Sequence, residues 1–211
     1  MEIKNNLPNW GLVTTFFKQG ISVEELGFSS NCSHGAITRV NARYRVAKSF
    51  KSIELDNFTK ETQLGYSALV KTLLTYSALE TYIKLFNSAS NVSIPLESIN
   101  LEIINIEDAN LISNKILNLD KNKKFYNFIS YFSDKDNIKN NIEKFYNEEE
   151  HNIIFLLAGM RHIFGHGYLS ASSNKISPIK VNQIGNLISD FVLESMANHF
   201  SKTIEKYKKS I

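Results

Sequence analysis

Apolar residues recur along most of the chain at three- and four-residue intervals, the signature of helices with one buried face. The clearest stretch predicts a helix over 59–87, in which Leu69, Leu73, Tyr76 and Ile83 form a stripe and Glu80 falls on it. A second long helix is predicted over 180–208, with Ile184, Leu187, Ile188 and Phe191 as its stripe and His199 at the edge. Shorter helices are predicted over 36–50 and near 109–118, 121–132 and 137–147. The run Asn152-Ile-Ile-Phe-Leu-Leu-Ala-Gly-Met160 lies in a helix predicted over 148–164. At about 100° per residue its apolar side chains point in nearly every direction. Such a helix must be covered on most sides. One side can face its own bundle and another a second copy of the chain, which predicts a homodimer. No run alternates with period two, so the fold class is all-α.

Punctuation refines this pattern. Pro95 and Pro178 sit where helices should break or start, and 88–108 reads as an irregular connection. In the first 35 residues, Gly11, Gly20, Gly27 and Gly35 interrupt the pattern, and Ser22-Val-Glu-Glu25 reads as a capping box opening a short helix. Two short helices around a glycine would imitate a helix-turn-helix, but Ser29-Ser-Asn-Cys-Ser-His34 is too polar for the second. The organisation expected is an N-terminal extension of short helices over 1–58 and a helical bundle over 59–211.

Composition is that of a globular chain: 43% hydrophobic, 21% charged, with a net charge of +3 too small to announce a polyanionic partner. Basic residues cluster at Arg39, Arg43, Arg45, Lys48 and Lys51, and at Lys202, Lys206, Lys208 and Lys209. Each cluster reads as a solvated helix face or as an approach surface for RNA. Cys32 is the sole cysteine, so no intrachain disulfide forms and a reducing compartment is expected. No apolar run reaches the ~18–20 residues that span a bilayer, and no signal pattern opens the sequence. A cytoplasmic location and no membrane partner are the expectations.

The candidate chemistry sits in Arg161-His162-Ile163-Phe164-Gly165-His166-Gly167. A permanently charged guanidinium and a group that moves protons near neutral pH are the means of cleaving a phosphodiester without metal. On a continuous helix Arg161 and His166 would stand about 140° apart. Glycines at 165 and 167 are natural terminators. A helix ending near Gly165 would free His166 to swing back toward Arg161; alternatively, a dimer would bring each to the other's chain. His162 and His166 are also spaced like zinc ligands on a helix, but the glutamate of H-E-x-x-H is replaced by Ile163, and His151 is ~16 Å away along a helix. Neither a metal nor another cofactor is expected. Cys32 has no triad-like context, which argues against a thiol enzyme.

Over residues 59–209 the chain resembles the HEPN domain family. The match is R-x4-H with a polar residue after the arginine: Arg161, His162, then His166. The helix carrying Ala78-Leu79-Glu80 resembles the family's early helix, which often has an acidic residue at a similar place. The resemblance has no counterpart for 1–58. It implies an α-helical bundle acting as a homodimeric, metal-independent endoribonuclease that leaves a 2′,3′-cyclic phosphate. It also implies a toxin or defence setting with an antitoxin protein. Arg161 would hold the scissile phosphate, His166 would act as general acid or base, and His162 would assist or orient it. Glu80, if buried, would pair with Arg161. Tyr168 and Ser170, just past the motif, are possible RNA contacts, and Ser170, Ser172 and Ser173 could also cap the next helix, but packing for the tyrosine and plain loop chemistry for the serines explain them more simply. The alternatives are a non-catalytic HEPN-like module binding RNA, nucleotide or a protein partner, and a target or partner in nucleotidyl transfer.

Overall fold

The computed structural model describes residues 5–86, 105–133, 135–150, 152–167, 170–171 and 176–209. Among them lie eight helices and no strand: α1 Trp10–Lys18, α2 His34–Ser49, α3 Lys60–Ile83, α4 Ile106–Leu119, α5 Lys124–Phe132, α6 Asp136–Tyr146, α7 Ile153–Gly165 and α8 Pro178–Lys208. The protein is an all-α bundle, and none of these helices is long and apolar enough to cross a membrane. The predicted connection over 88–108 falls mostly outside the described residues.

Local chemistry sets the helix starts. Ser33, Thr59, Asn105 and Ser177 each accept a backbone N–H of the first turn through their side-chain oxygen, and Pro178 supplies a preset φ at the start of α8. The capping box at Ser22 forms both of its bonds: the Glu25 carboxylate accepts the Ser22 N–H at 2.8 Å, and the Ser22 hydroxyl accepts the Glu25 N–H at 3.3 Å. The Ser22 N–H, then its hydroxyl, hold the Glu25 carboxyl below its usual range. No helix follows, contrary to expectation. Gly27 turns to φ 86 and the chain closes on itself, with Phe28 N–H on the Val23 carbonyl at 3.1 Å. Similarly, the helix predicted from 148 starts only at 153, because Glu148, at φ 60, ends α6.

α3 and α8 are the central pair and run in the same direction. Asn182 donates to the Leu64 carbonyl at 2.9 Å, Lys71 pairs with Asp190 at 2.7 Å, and the Tyr82 hydroxyl lies 2.7 Å from His199 Nδ1. Small residues let the helices approach. A Cβ on Gly185 of α8 would lie 3.2 Å from Ala68 Cβ and 3.3 Å from Met160 Cε, and one on Gly65 would meet Ala171 Cβ at 2.8 Å. The buried face of α3 is therefore Gly65, Ala68, Leu69, Thr72, Thr75, Leu79 and Tyr82. Of the expected stripe, Leu69 and Ile83 are buried. Leu73 and Tyr76 are half-buried and Glu80 is exposed.

α2 packs against α3 and α8 and runs antiparallel to α3, since Ser29 before it bonds at Leu85 past the end of α3 and Ile53 after it bonds at Ser67 near its start; α7, with α5 and α6 beside it, packs against the same pair. Every residue of α7 from Ile153 to Met160 is buried by its own chain, among α3, α5, α6 and α8. The all-round apolar pattern is thus satisfied within one copy and does not call for a second. Residues read as an N-terminal extension join the same core. Val13, Phe16, Leu26, Phe28, Ile37, Val40 and Tyr44 are buried in it, Phe28 lies 5.9 Å from Phe200, and the Ser29 N–H donates to the Leu85 carbonyl at 2.8 Å.

Asp120 is a buried carboxylate, 1% exposed. It accepts the N–H groups of Phe125 at 3.0 Å and Tyr126 at 2.9 Å, and the Tyr146 hydroxyl at 3.1 Å. It thereby caps α5, whose own N-cap residue, Lys123, sits at φ 52 with no side-chain cap.

Three tyrosines link the core to pH. Burial raises Tyr82 well above the usual value of 10. Burial, then the Asp120 charge, does the same to Tyr146, and burial, then Glu194, pushes Tyr44 up to about 12. The neutral phenols favour the folded state, so their contribution is complete below the unfolded value of 10 and is lost as pH rises from there toward about 12. The expected result is a falling urea midpoint across that window, with delayed tyrosinate absorbance. A midpoint independent of alkaline pH would contradict it.

Candidate active site at the end of helix α7

The motif straddles the end of α7. The helix stops at Gly165, as the glycines predict. The His166 N–H donates to the His162 carbonyl at 3.0 Å, and Gly167, at φ 78, sends its N–H to the Phe164 carbonyl at 3.0 Å. That left-handed φ is one glycine adopts at little cost. A buried, side-chain-packed helix thus ends in three exposed residues, Gly165 to Gly167.

The side chains divide into two contacts. The exposed Arg161 sets its guanidinium over the ring of Tyr76, 5.2 Å from the centroid. His162, only 4% exposed, meets the ring of exposed His166 edge to face at 4.5 Å. His166 therefore turns back onto His162, one helical turn earlier, rather than onto Arg161. No hydrogen bond joins Arg161 and His166 within the chain. The two polar groups flank the same helix end, one anchored on α3 and the other on the helix itself.

Tyr76 ties these parts together. Burial, then the Glu80 charge, raises its phenol, and Arg161 opposes them. The phenol thus feels both charges. Glu80 is exposed and makes no ion pair with Arg161; among the described residues such pairs join Lys71 to Asp190 and Lys144 to Glu150. The expected buried Glu80–Arg161 pair is not formed, and the aromatic ring takes the seat beneath the guanidinium. The ring contact was not read from the sequence, although Tyr76 and Glu80, four apart on one helix, mark the face concerned. A double-mutant cycle on Tyr76 and Arg161 is expected to return a coupling of about 0.5–1 kcal/mol in unfolding free energy. Additive effects would mean that the ring does not hold the guanidinium.

Of the other predicted positions, Ser170 is half-buried beside the buried Ala171. Tyr168, Ser172, Ser173 and His151 lie outside the described residues. His199 is half-buried, bonded to Tyr82 and edge-on to Phe86 at 4.9 Å, in keeping with a core-boundary position. Among the described residues, no three of His, Cys, Asp or Glu converge as a set able to hold a metal ion. A groove of about 1040 Å³ runs between α4 and α8, floored by Ile112, Leu187 and Phe191; Arg161, His162 and His166 take no part in it. Comparison with protein-family models, curated proteins and solved structures finds no significant match.

Proposed function

We propose that the protein is a metal-independent endoribonuclease of the HEPN type, with Arg161 and His166 acting on the scissile phosphodiester. The observation that carries this reading is the exposure of a guanidinium and an imidazole at the end of one buried helix, each seated on a ring that limits its motion. Among the described residues no carboxylate is ion-paired to Arg161, which leaves its donor fork open to phosphate. His166 takes the proton of a ribose 2′-hydroxyl as that oxygen attacks phosphorus. The bond from phosphorus to the 5′ oxygen breaks, and the leaving oxygen takes a proton from water. Arg161 stabilises the charge that builds on the non-bridging oxygens. His162, buried against His166, acts as a positioning residue. The scissile phosphate, not a direct hydrogen bond, links Arg161 to His166 in this reading. The family resemblance adds a homodimer and a restraining antitoxin protein to the proposal.

The test is incubation of the purified protein with total RNA and with tRNA in EDTA, followed by end-group analysis. Cleavage leaving cyclic phosphate and 5′-hydroxyl ends supports the reading; intact RNA with folded protein opposes it. One observation favours a second reading, a non-catalytic module that binds RNA, nucleotide or a protein partner: within one chain the two motif side chains make separate contacts rather than one shared site.

A further inference from the structure

Three of the chain's four arginines, Arg39, Arg43 and Arg45, lie on α2, a sixteen-residue helix without a single Asp or Glu. Arg39 and Arg43 are exposed one turn apart; Lys48, in the last turn, and Lys51, just past the helix end, are exposed too. Like charges at i and i+4 destabilise a helix by about 0.2–0.5 kcal/mol. An ordinary solvated face offsets this with carboxylates, and among the described residues neither arginine is in an ion pair. Two carboxylates come near this helix: Glu194 acts at the buried Tyr44, and Glu24 acts, with Arg39, on Cys32 just before the helix start, without forming an ion pair with Arg39 among the described residues.

The helix start carries a second feature. His34, exposed, is stacked on Phe17 with ring centroids 3.9 Å apart and planes 18° from parallel. The Arg39 guanidinium lies back toward that end, 3.6 Å from where a Gly35 Cβ would stand. A ring stack at the start of a helix that also carries two exposed guanidinium groups is a combination that holds single-stranded nucleic acid, through base stacking and phosphate contacts. A lipid surface would require apolar anchors along the same face, and Val46 is the one large hydrophobic residue exposed there.

We propose that the outer face of α2, with Arg39, Arg43 and the Phe17–His34 stack, is a docking surface for the sugar-phosphate backbone of single-stranded RNA. α2 packs on α3 and α8 rather than on α7, so RNA held here lies on a helix separate from the motif and the footprint on a long strand is enlarged. This proposal stands apart from the cleavage reading, since binding is measured whether or not RNA is cut.

The experiment is a titration of a labelled single-stranded RNA of about 20 nucleotides with the full chain in EDTA, on a His166→Ala background, across a range of salt. Loss of two phosphate contacts lowers the slope of log affinity against log salt by about 1.4, which at 0.1 M salt corresponds to roughly 25-fold weaker binding. That is the result expected for R39Q/R43Q. R39K/R43K keeps affinity within about threefold, as does K121Q/K124Q, which removes the same charge from exposed positions elsewhere. Unchanged RNA affinity and slope in folded R39Q/R43Q overturns the proposal. So does an equal loss in K121Q/K124Q, which would make the effect one of net charge. So does a loss confined to vesicles containing phosphatidylserine, which would assign the face to a membrane.

Discussion

Arg161→Ala and His166→Ala are each expected to lower RNA cleavage at least a hundredfold while leaving the unfolding free energy within about 1 kcal/mol of wild type. The first part follows from the roles proposed. A cation on a developing transition-state charge contributes on the order of 10²–10³ in rate, and a positioned acid or base about 10²–10⁴. The second part follows from position: both side chains are exposed and sit at the end of α7, past its buried run. Surface changes of this kind cost little. Arg161→Ala gives up the contact with Tyr76, which belongs to the small exposed class of cation–π interactions. His162→Ala has the opposite profile. It empties a buried site and is expected to reduce stability as well as rate, so it does not report on chemistry alone. Rates within tenfold of wild type in both Arg161→Ala and His166→Ala would end the nuclease assignment for this motif.

Asp120→Ala is expected to be among the most damaging single changes to the fold, at about 3–4 kcal/mol. It strips α5 of its cap, worth about 0.5–2 kcal/mol, and strands the buried Tyr146 hydroxyl, for which about 1–3 kcal/mol is the usual cost. Asp120→Asn keeps one oxygen for the backbone and should lose about half as much. Urea unfolding of the three proteins measures this, and the alanine variant should melt about 10 °C lower for a domain of this size. A loss below about 1 kcal/mol would mean that water replaces the carboxylate, and that Asp120 is not the keystone of the α5–α6 corner.

Reading the chain by period recovered the long helices well because each carries large apolar residues at helical spacing for many turns. Proline and capping residues placed the α8 start at 178 rather than 180, a small difference. The face of α3 was harder. Its contact with α7 and α8 is made by Gly65, Ala68, Thr72 and Thr75, which a count of large apolar side chains passes over. Of the stripe Leu69, Leu73, Tyr76 and Ile83, the ends are buried and the middle is half-buried, and Glu80 takes the alternative of a stripe-edge residue reaching solvent. The capping box was legible and formed; what followed depended on Gly27 and on a long-range contact at Leu85, which no local pattern contains. In the motif, the helix end was written in two glycines. The partners of Arg161 and His166 were not, because one comes from a helix 85 positions upstream and the other from the spare freedom of the turn itself.

The α3–α8 pair sets the timing of folding. Lys71 and Asp190, which meet across it, are 119 positions apart in sequence. Until α8 has left the ribosome, the small-residue face of α3 and the inner side of α7 have nothing to close upon. A nascent chain can form α1 to α7 and still expose their apolar faces, a state prone to aggregation and slow to resolve. The motif on α7 reaches its final setting only when that late strut arrives. The end of α7 is therefore among the last parts of this fold to be set, because its covering partner is the last helix to join the bundle.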